Sequence, residues 1–581
     1  MGFSARREIV QSLRTNVPGA TLSPNPVPAF QAANEPSPVL ETTTAGACSP
    51  ASTSDSGHYV SSKLRPSPKL GFLLKYCFDE LEIYYPCIDR ADFYGRLSVL
   101  FVHDCSYGDG RTLIPKKPES LALAALTCTI VALATYLVGR SQSEDSADDE
   151  DTCGTDAWEW HLESRRLLTE HAWQNDPCLD VLRLHLLEVL FFTMVEQSQA
   201  LSMAKAVAVE LAFALELNNE AAWSKTTQRE KEYRRLLWWM VYIIDRRISI
   251  RVGRPYLIQD SDCAVGEFTS LSRLYYLSND TFEYGCNPAD IDFGMNLWPR
   301  PSKPAEDWFA YLHFNVCWSR IAARAWDSCC SLRARQAVDL DEVNAVDQLL
   351  RNLERSLPPT LLWSPNGLAS MVQAGNSDRF LRLRLIIFER INTLRLFIRS
   401  SPRTSTIPLL DWETAQTTET IASDTIDSAV GYLSLRNEAR PWCTYLTLLL
   451  IDISSRIAPI VMRQAKNPTV PAYRVILSMV QAQDCLRNLG KSKLRITHKA
   501  LARLKEISDD VNLAFETATS IPRLISIGHA SFWPDGKPCK ARIDSAQDVM
   551  PLDDWTLDMS EIWDADDLIE LFSSQNFPLD F

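Results

Sequence analysis

Groups that could do chemistry are easy to find in this chain and hard to assemble into a site. The run Asp148-Asp149-Glu150-Asp151 sets four carboxylates side by side, a charge density suited to Mg²⁺ and a diphosphate. It sits inside SEDSADDEDT (143–152), no second carboxylate box follows downstream, and it reads as an exposed acidic loop. The eight histidines, His161, His171 and His185 among them, show no paired metal-ligand spacing. Fifteen cysteines include no Cys-x-x-Cys, and the only close pair is Cys329-Cys330. Thiolates that converge on one zinc ion in a small module need close spacing, so zinc is not expected. Cys77, Cys128, Cys317 and Cys443 lie in hydrophobic stretches and read as reduced thiols behaving as small hydrophobes. There is no phosphate-binding loop, dinucleotide fingerprint, Gly-x-Ser-x-Gly elbow or His-Glu-x-x-His helix. No catalytic residue, metal site or cofactor is expected, and the chain is not read as an enzyme. Arg246, Arg247, Arg251 and Arg254 could line a phosphate-binding face, but with Asp245, Asp260 and Asp262 close by they read as ion-pair partners within the domain.

The elements that must position these residues are helices. Hydrophobic residues make up 46% of the 581-residue chain and charged ones 23%, a globular balance that can bury a large core. The net charge of −14 repels a polyphosphate, so direct DNA binding is not expected from the overall field. Residues 1–68 are rich in Pro, Ser, Thr and Ala and read as a disordered arm, with no apolar core of a secretory signal in MGFSARREIVQSLRT. From there to 535 the pattern is helical. Helices are expected over 72–83, 119–139, 157–172, 180–217, 229–251, 308–334, 340–356, 379–399, 418–434, 441–464, 472–489 and 498–518. In 379–399, Phe380, Leu383, Ile387, Ile391, Leu394 and Ile398 recur at three- and four-residue steps, with arginines between them. Leu121–Val138 is 18 uncharged residues, yet its Ala and Thr content and acidic surroundings point to an enclosed core helix and not a membrane span. The fold class is all-α, a large multi-helix domain flanked by the arm and by a distinct tail at 536–581.

One helix carries a recognisable text. RRLLWWMVYIIDRRISIRVGRP (234–255) has an apolar stripe of Leu237, Met240, Val241, Ile244 and Ile248 and is ended by Gly253 and the Arg-Pro that follows. It resembles the hallmark of the fungal-specific transcription factor domain, the regulatory middle region of zinc-binuclear-cluster regulators. The matching positions are Arg234, Arg235, Leu237, Trp238, Trp239, Tyr242, Asp245, Arg246, Gly253, Arg254 and Pro255. FLLKYCFDELEIYYPCIDRADFYGRL (72–97) resembles the family's opening helix, with Tyr85-Pro86, Asp89 and Phe93 at its landmarks. SMAKAVAVELAFALELNNE (202–220) resembles the helix before the hallmark, but Glu216-Leu217-Asn218 replaces the usual Gly-Leu-His.

The resemblance implies a nuclear transcription regulator, serving one metabolic or secondary-metabolite pathway, whose helical domain restrains activation, binds partners and senses a small metabolite. It also implies a six-cysteine zinc cluster, which residues 1–70 do not supply: they hold one cysteine, Cys48, and six Lys or Arg. Either a segment upstream of Met1 provides it, or the chain reaches DNA through a partner protein or as a homodimer. From Asp544 on, eleven acidic and no basic residues are interleaved with Trp555, Leu557, Ile562, Trp563, Leu568, Ile569, Leu571, Phe572 and Phe577. That pattern reads as an activation segment, disordered alone and helical on a coactivator, with Trp555, Trp563, Leu568, Leu571 and Phe572 as anchors. The alternative reading is a helical interaction or scaffold protein with no transcriptional role.

Overall fold

Residues 59–102, 112–142, 150–171, 177–267, 306–331, 340–371, 378–400, 412–435, 440–464 and 470–490 are described by the computed structural model, apart from scattered positions within them, together with a few residues between 501 and 509. The described residues are all-α with one two-stranded sheet. The tail, with Trp555, Trp563, Leu568, Leu571 and Phe572, and the arm before residue 59 lie outside the described residues.

The arm ends earlier than its composition suggests. Tyr59–Ser62 forms β1, antiparallel to β2 (Thr112–Pro115), with Val60 opposite Ile114. Its alternation puts Val60 and Ser62 inside, and the Ser62 hydroxyl donates to Glu163 Oε1 at 2.9 Å. Arg166 then donates to the Ser61 carbonyl at 2.6 Å, so two charged residues of one later helix hold the strand. The local text is polar; the order comes from partners a hundred residues away.

Helix α1 (Pro68–Leu81) begins as a capped helix should, with proline in its first turn and the Ser67 side chain accepting from Leu70 N. Helix α2 (Arg90–Val102) was not anticipated. Asp89 starts it by accepting from the backbone of Ala91 and Asp92, and Phe93 and Tyr94 pack at 5.6 and 5.7 Å from the Phe78 ring of α1. Helix α3 (Pro118–Gln142) contains the long uncharged stretch, and that stretch is enclosed by the domain. Leu121 to Ala134 are almost all inaccessible, and α1, α4 (Glu150–His171) and α5 (Leu179–Met194) pack around them. Alanines permit that close approach, and Thr127 spends its hydroxyl on the Leu123 carbonyl. Helix α4 starts at Glu150, so the end of the expected acidic loop is helical and 143–149 lies outside the described residues.

The single helix expected over 180–217 is two, α5 and α6 (Ser198–Ala214). No Pro or Gly marks the break. The Tyr136 hydroxyl donates to the Met194 carbonyl at 2.7 Å and satisfies an α5 end group from a distant helix. Helices α7 (Gln228–Val252), α8 (Glu306–Cys329), α9 (Leu340–Arg355), α10 (Asp378–Ser400), α11 (Trp412–Leu435), α12 (Arg440–Gln464) and α13 (Val470–Gly490) complete the order. Among the described residues two apolar cores result, and α10 serves both. Leu383, Ile386, Ile387 and Leu394 face the larger core, while Leu381, Leu385 and Leu396 face the smaller one with α11, α12 and α13.

The smaller core contains a carboxylate out of place. Glu419 on α11 is 1% exposed, and neither oxygen has a hydrogen-bond partner. Burial pushes its pKa up to about 7. The folded chain therefore holds a proton that the unfolded chain releases above its ordinary value. The stabilisation is complete below about pH 4.5 and is lost as pH rises toward 7. Glu419→Gln removes that dependence. Its melting temperature should match wild type near pH 5 and exceed it at pH 8, by an amount equivalent to about 2–3 kcal/mol. An equal difference at both pH values would refute this account.

Candidate functional site

The distinctive chemistry of the chain gathers at the end of α7 and in the segment that follows it to residue 267. Thr227 caps the helix by accepting from Glu230 N, and Gly253 ends it at φ 70°, a left-handed conformation with open space around a would-be Cβ. Glycine is required there by backbone geometry, not by crowding. The helix is more enclosed than its apolar stripe suggested. From Arg235 to Arg246 every residue is buried, the charged ones included.

Asp245 is the centre. Fully inaccessible, its carboxylate accepts from Leu257 N at 2.9 Å and Ile258 N at 2.9 Å, folding the segment after Gly253 back onto the helix. Lys205 of α6 lies 3.2 Å from Asp245 Oδ1 and donates to Ser249 Oγ at 2.9 Å. Burial holds the Lys205 pKa below its usual range, and Asp245 opposes that shift. Ser249 Oγ in turn donates to the Pro255 carbonyl, and Arg254 N donates to the Ser249 carbonyl. The side chain of Arg254 is exposed, so this signature position acts through its backbone.

Arg246 is 1% exposed and lies between two rings, its guanidinium carbon 3.6 Å from the Tyr242 centroid and 4.7 Å from that of Tyr256. It pairs with Asp245 at 3.2 Å and Asp260 at 2.8 Å and donates to the Ile258 carbonyl. The Tyr242 hydroxyl donates to the same Asp260 oxygen. Pairing of these arginines inside the domain therefore holds for Arg246 with Asp245 and Asp260. Arg247, by contrast, donates to the Tyr85 hydroxyl, and Asp262 contributes its carbonyl, which accepts from Asn218.

The two tryptophans reach the same segment. Trp238 Nε1 donates to Cys263 Sγ at 3.1 Å and Trp239 Nε1 to the Gly266 carbonyl at 3.0 Å. Arg235 holds Glu220 through two nitrogens, at 2.7 and 3.0 Å, and Glu220 accepts from Gly266 N. Leu237 is fully buried, whereas Arg234 forms a helix-surface pair with Glu230 at 2.8 Å. The signature residues other than Arg234 and Leu237 thus make one latch that pins 254–266 against α7.

Sequence reasoning missed two parts of it. Lys205 gave no signal within an Ala-rich helix. Glu216, standing where the resembling family has glycine, has φ 54°, the conformation that favours glycine. Its carbonyl accepts from Trp223 Nε1, and Asn218 two residues on receives Ala264 N at its own carbonyl. The departure from Gly-Leu-His pointed to this strained turn without explaining it. At the other end of the helix, Asp89 pairs with Arg229, joining the start of α2 to the start of α7.

Beside the latch lies a cavity bordered by Arg247, Arg390, Tyr311 and Tyr445. Near it, burial pushes the Glu389 carboxyl up to about 7, against the pull of Arg390 and Arg247, and pushes Arg247 down to about 10, with Arg390 adding to the shift.

Residues 74–280 match the fungal specific transcription factor domain. Over 208 residues the chain is 25% identical to Transcription factor asqA of Emericella nidulans, which covers 36% of this chain and 34% of that protein. Over 35 residues it is 57% identical to an uncharacterized transcriptional regulatory protein of Schizosaccharomyces pombe, 6% of this chain and 4% of the other. The matched regions span about a third or less of those relatives' lengths.

Proposed function

From the fungal specific transcription factor domain at residues 74–280, we propose that this protein is a transcription regulator acting in the nucleus on one metabolic or secondary-metabolite pathway. The observation that carries the reading is the latch, since the residues that make it are those that carry the family resemblance. In this role the helical domain is regulatory and the work at the promoter falls to other segments. Nothing in residues 1–581 supplies a six-cysteine cluster, and the net charge is −14. No zinc is therefore assigned to these residues, and contact with DNA falls to a segment upstream of Met1, to a DNA-binding partner protein or to a homodimer.

Activation falls to residues 551–581. Their charges are all acidic, so mutual repulsion keeps Trp555, Trp563, Leu568, Leu571 and Phe572 available to a coactivator groove. Ser560 is placed to cap a helix that carries Trp563 through Phe572. Fused to a foreign DNA-binding domain, residues 551–581 should activate a reporter, and alanine at Trp563, Leu568, Leu571 and Phe572 together should abolish the signal. A silent fusion, with a lower melting temperature when the segment is deleted from the full chain, would make the tail part of the fold instead.

A further inference from the structure

Helices α1, α5, α7, α8, α10 and α12 enclose a cavity of about 70 Å³. Leu81, Leu190, Met194 and Ile386 give it an apolar wall. Its polar lining is unusual in what it lacks. Arg390 is 6% exposed, and its Nε and Nη1 have no hydrogen-bond partner. Glu389 Oε1 lies 3.9 Å from that Nε, beyond hydrogen-bond reach, and already accepts from the Tyr445 hydroxyl. Tyr311 is fully buried and its hydroxyl also has no partner. Arg247 reaches the cavity from α7 and donates to the Tyr85 hydroxyl, a neutral group. Glu389 stands behind the lining, and the carboxylate on the lining itself, Glu80, is taken by Arg382 at 2.7 Å.

The charge balance is thus two guanidinium groups, Arg247 and Arg390, against the single carboxylate of Glu389. Burial weakens even that anion by raising its pKa to about 7. Buried cations are stable when paired and hydrogen-bonded, and Arg390 is neither fully. An anion in the cavity supplies both. The volume is roughly that of two water molecules in the liquid, so an occupant has few heavy atoms. Most of the exposed lining is apolar, which suits an aliphatic body better than the further oxygens of a phosphate.

We propose that the cavity binds a small monocarboxylate with a short aliphatic body, its oxygens taking the unpartnered donors of Arg390 and Tyr311 and its body lying on Leu81, Leu190, Met194 and Ile386. Arg247 stands two residues from Asp245 on the same helix, so the site adjoins the latch that defines the domain. The inference concerns binding alone and does not depend on a role in transcription.

The test is a melting and calorimetric titration of the purified full chain with formate, acetate and propionate at constant ionic strength set by sodium chloride. A saturable rise in melting temperature is expected, larger for acetate or propionate than for formate and absent with acetamide. Tyr311→Phe should weaken binding about tenfold while leaving the ligand-free melting temperature unchanged. Arg390→Met should abolish binding, with the ligand-free variant melting at or above wild type because an unpaired buried cation has been removed. The proposal is overturned if no acid exceeds the chloride control, if acetamide or inorganic phosphate equals acetate, or if Tyr311→Phe binds like wild type. Should Arg390→Met fail to fold, the Tyr311→Phe affinity decides. Neither result alters the reporter assay, so the two readings fail separately.

Discussion

Asp245→Ala is expected to destabilise the protein by about 3–5 kcal/mol, the range for removing one partner of a buried ionic network. The substitution strands more than a single ion pair. Lys205 and Arg246 would remain inaccessible with one fewer anion between them, and the backbone N–H groups of Leu257 and Ile258 would lose their acceptor. Arg246 keeps Asp260, but that residue is on the surface, where water competes for it. The loss should therefore be local first. Limited proteolysis ought to cut within 254–266 in the variant before it cuts the helices, because those residues are held to α7 by the contacts that Asp245 organises. Asp245→Asn should fall between alanine and wild type, since its amide oxygen still accepts from one backbone N–H while the charge is gone. A variant that melts with wild type, and whose 254–266 segment resists protease equally, would show that the latch is a consequence of packing and not its cause.

That network also shows where sequence reading succeeds and where it stops. The spacing of apolar residues was enough for α7, α9 and α10, since each buries aliphatic side chains at three- and four-residue steps. The helix end at Gly253 was legible because only glycine enters the left-handed region without strain. Pairing of Arg246 with Asp245 and Asp260 could be anticipated from proximity in the chain. What a linear pattern lacks is the distant partner. Lys205 meets Asp245 across 40 positions, Glu163 fixes β1 across 101, and Tyr136 ends α5 across 58. Nothing local distinguishes those residues from solvent-facing ones. The cavity was equally hidden, because Arg247, Tyr311 and Arg390 come from three helices and only packing brings them together. Glu216 lies between the two cases. Its mismatch with the family pattern was visible in the sequence, but the positive φ behind it required the backbone.

Trp238→Ala and Trp239→Ala should each cost about 3–5 kcal/mol, the range for emptying a large buried aromatic site. Both indoles are essentially inaccessible. Trp238 packs edge-on against Phe213 at 5.8 Å, while Trp239 packs edge-on against Tyr242 at 5.3 Å beneath the Arg320 guanidinium. Truncation removes the ring and the N–H together, so a phenylalanine series is needed to separate them. Trp239→Phe retains most of the bulk but leaves the Gly266 carbonyl without its donor, a loss of about 1 kcal/mol. Trp238→Phe should cost less, because its acceptor is the Cys263 sulfur, a weak one. The expected order of melting temperatures is therefore wild type, Trp238→Phe, Trp239→Phe, then the two alanine variants well below. If the alanine variants melt with wild type but a full-length chain tethered to a reporter promoter loses its activity, the indoles belong to a partner or ligand surface. A fall in melting temperature in the stated order, with reporter activity lost only in proportion to folded protein, assigns them to the core that holds the latch in place.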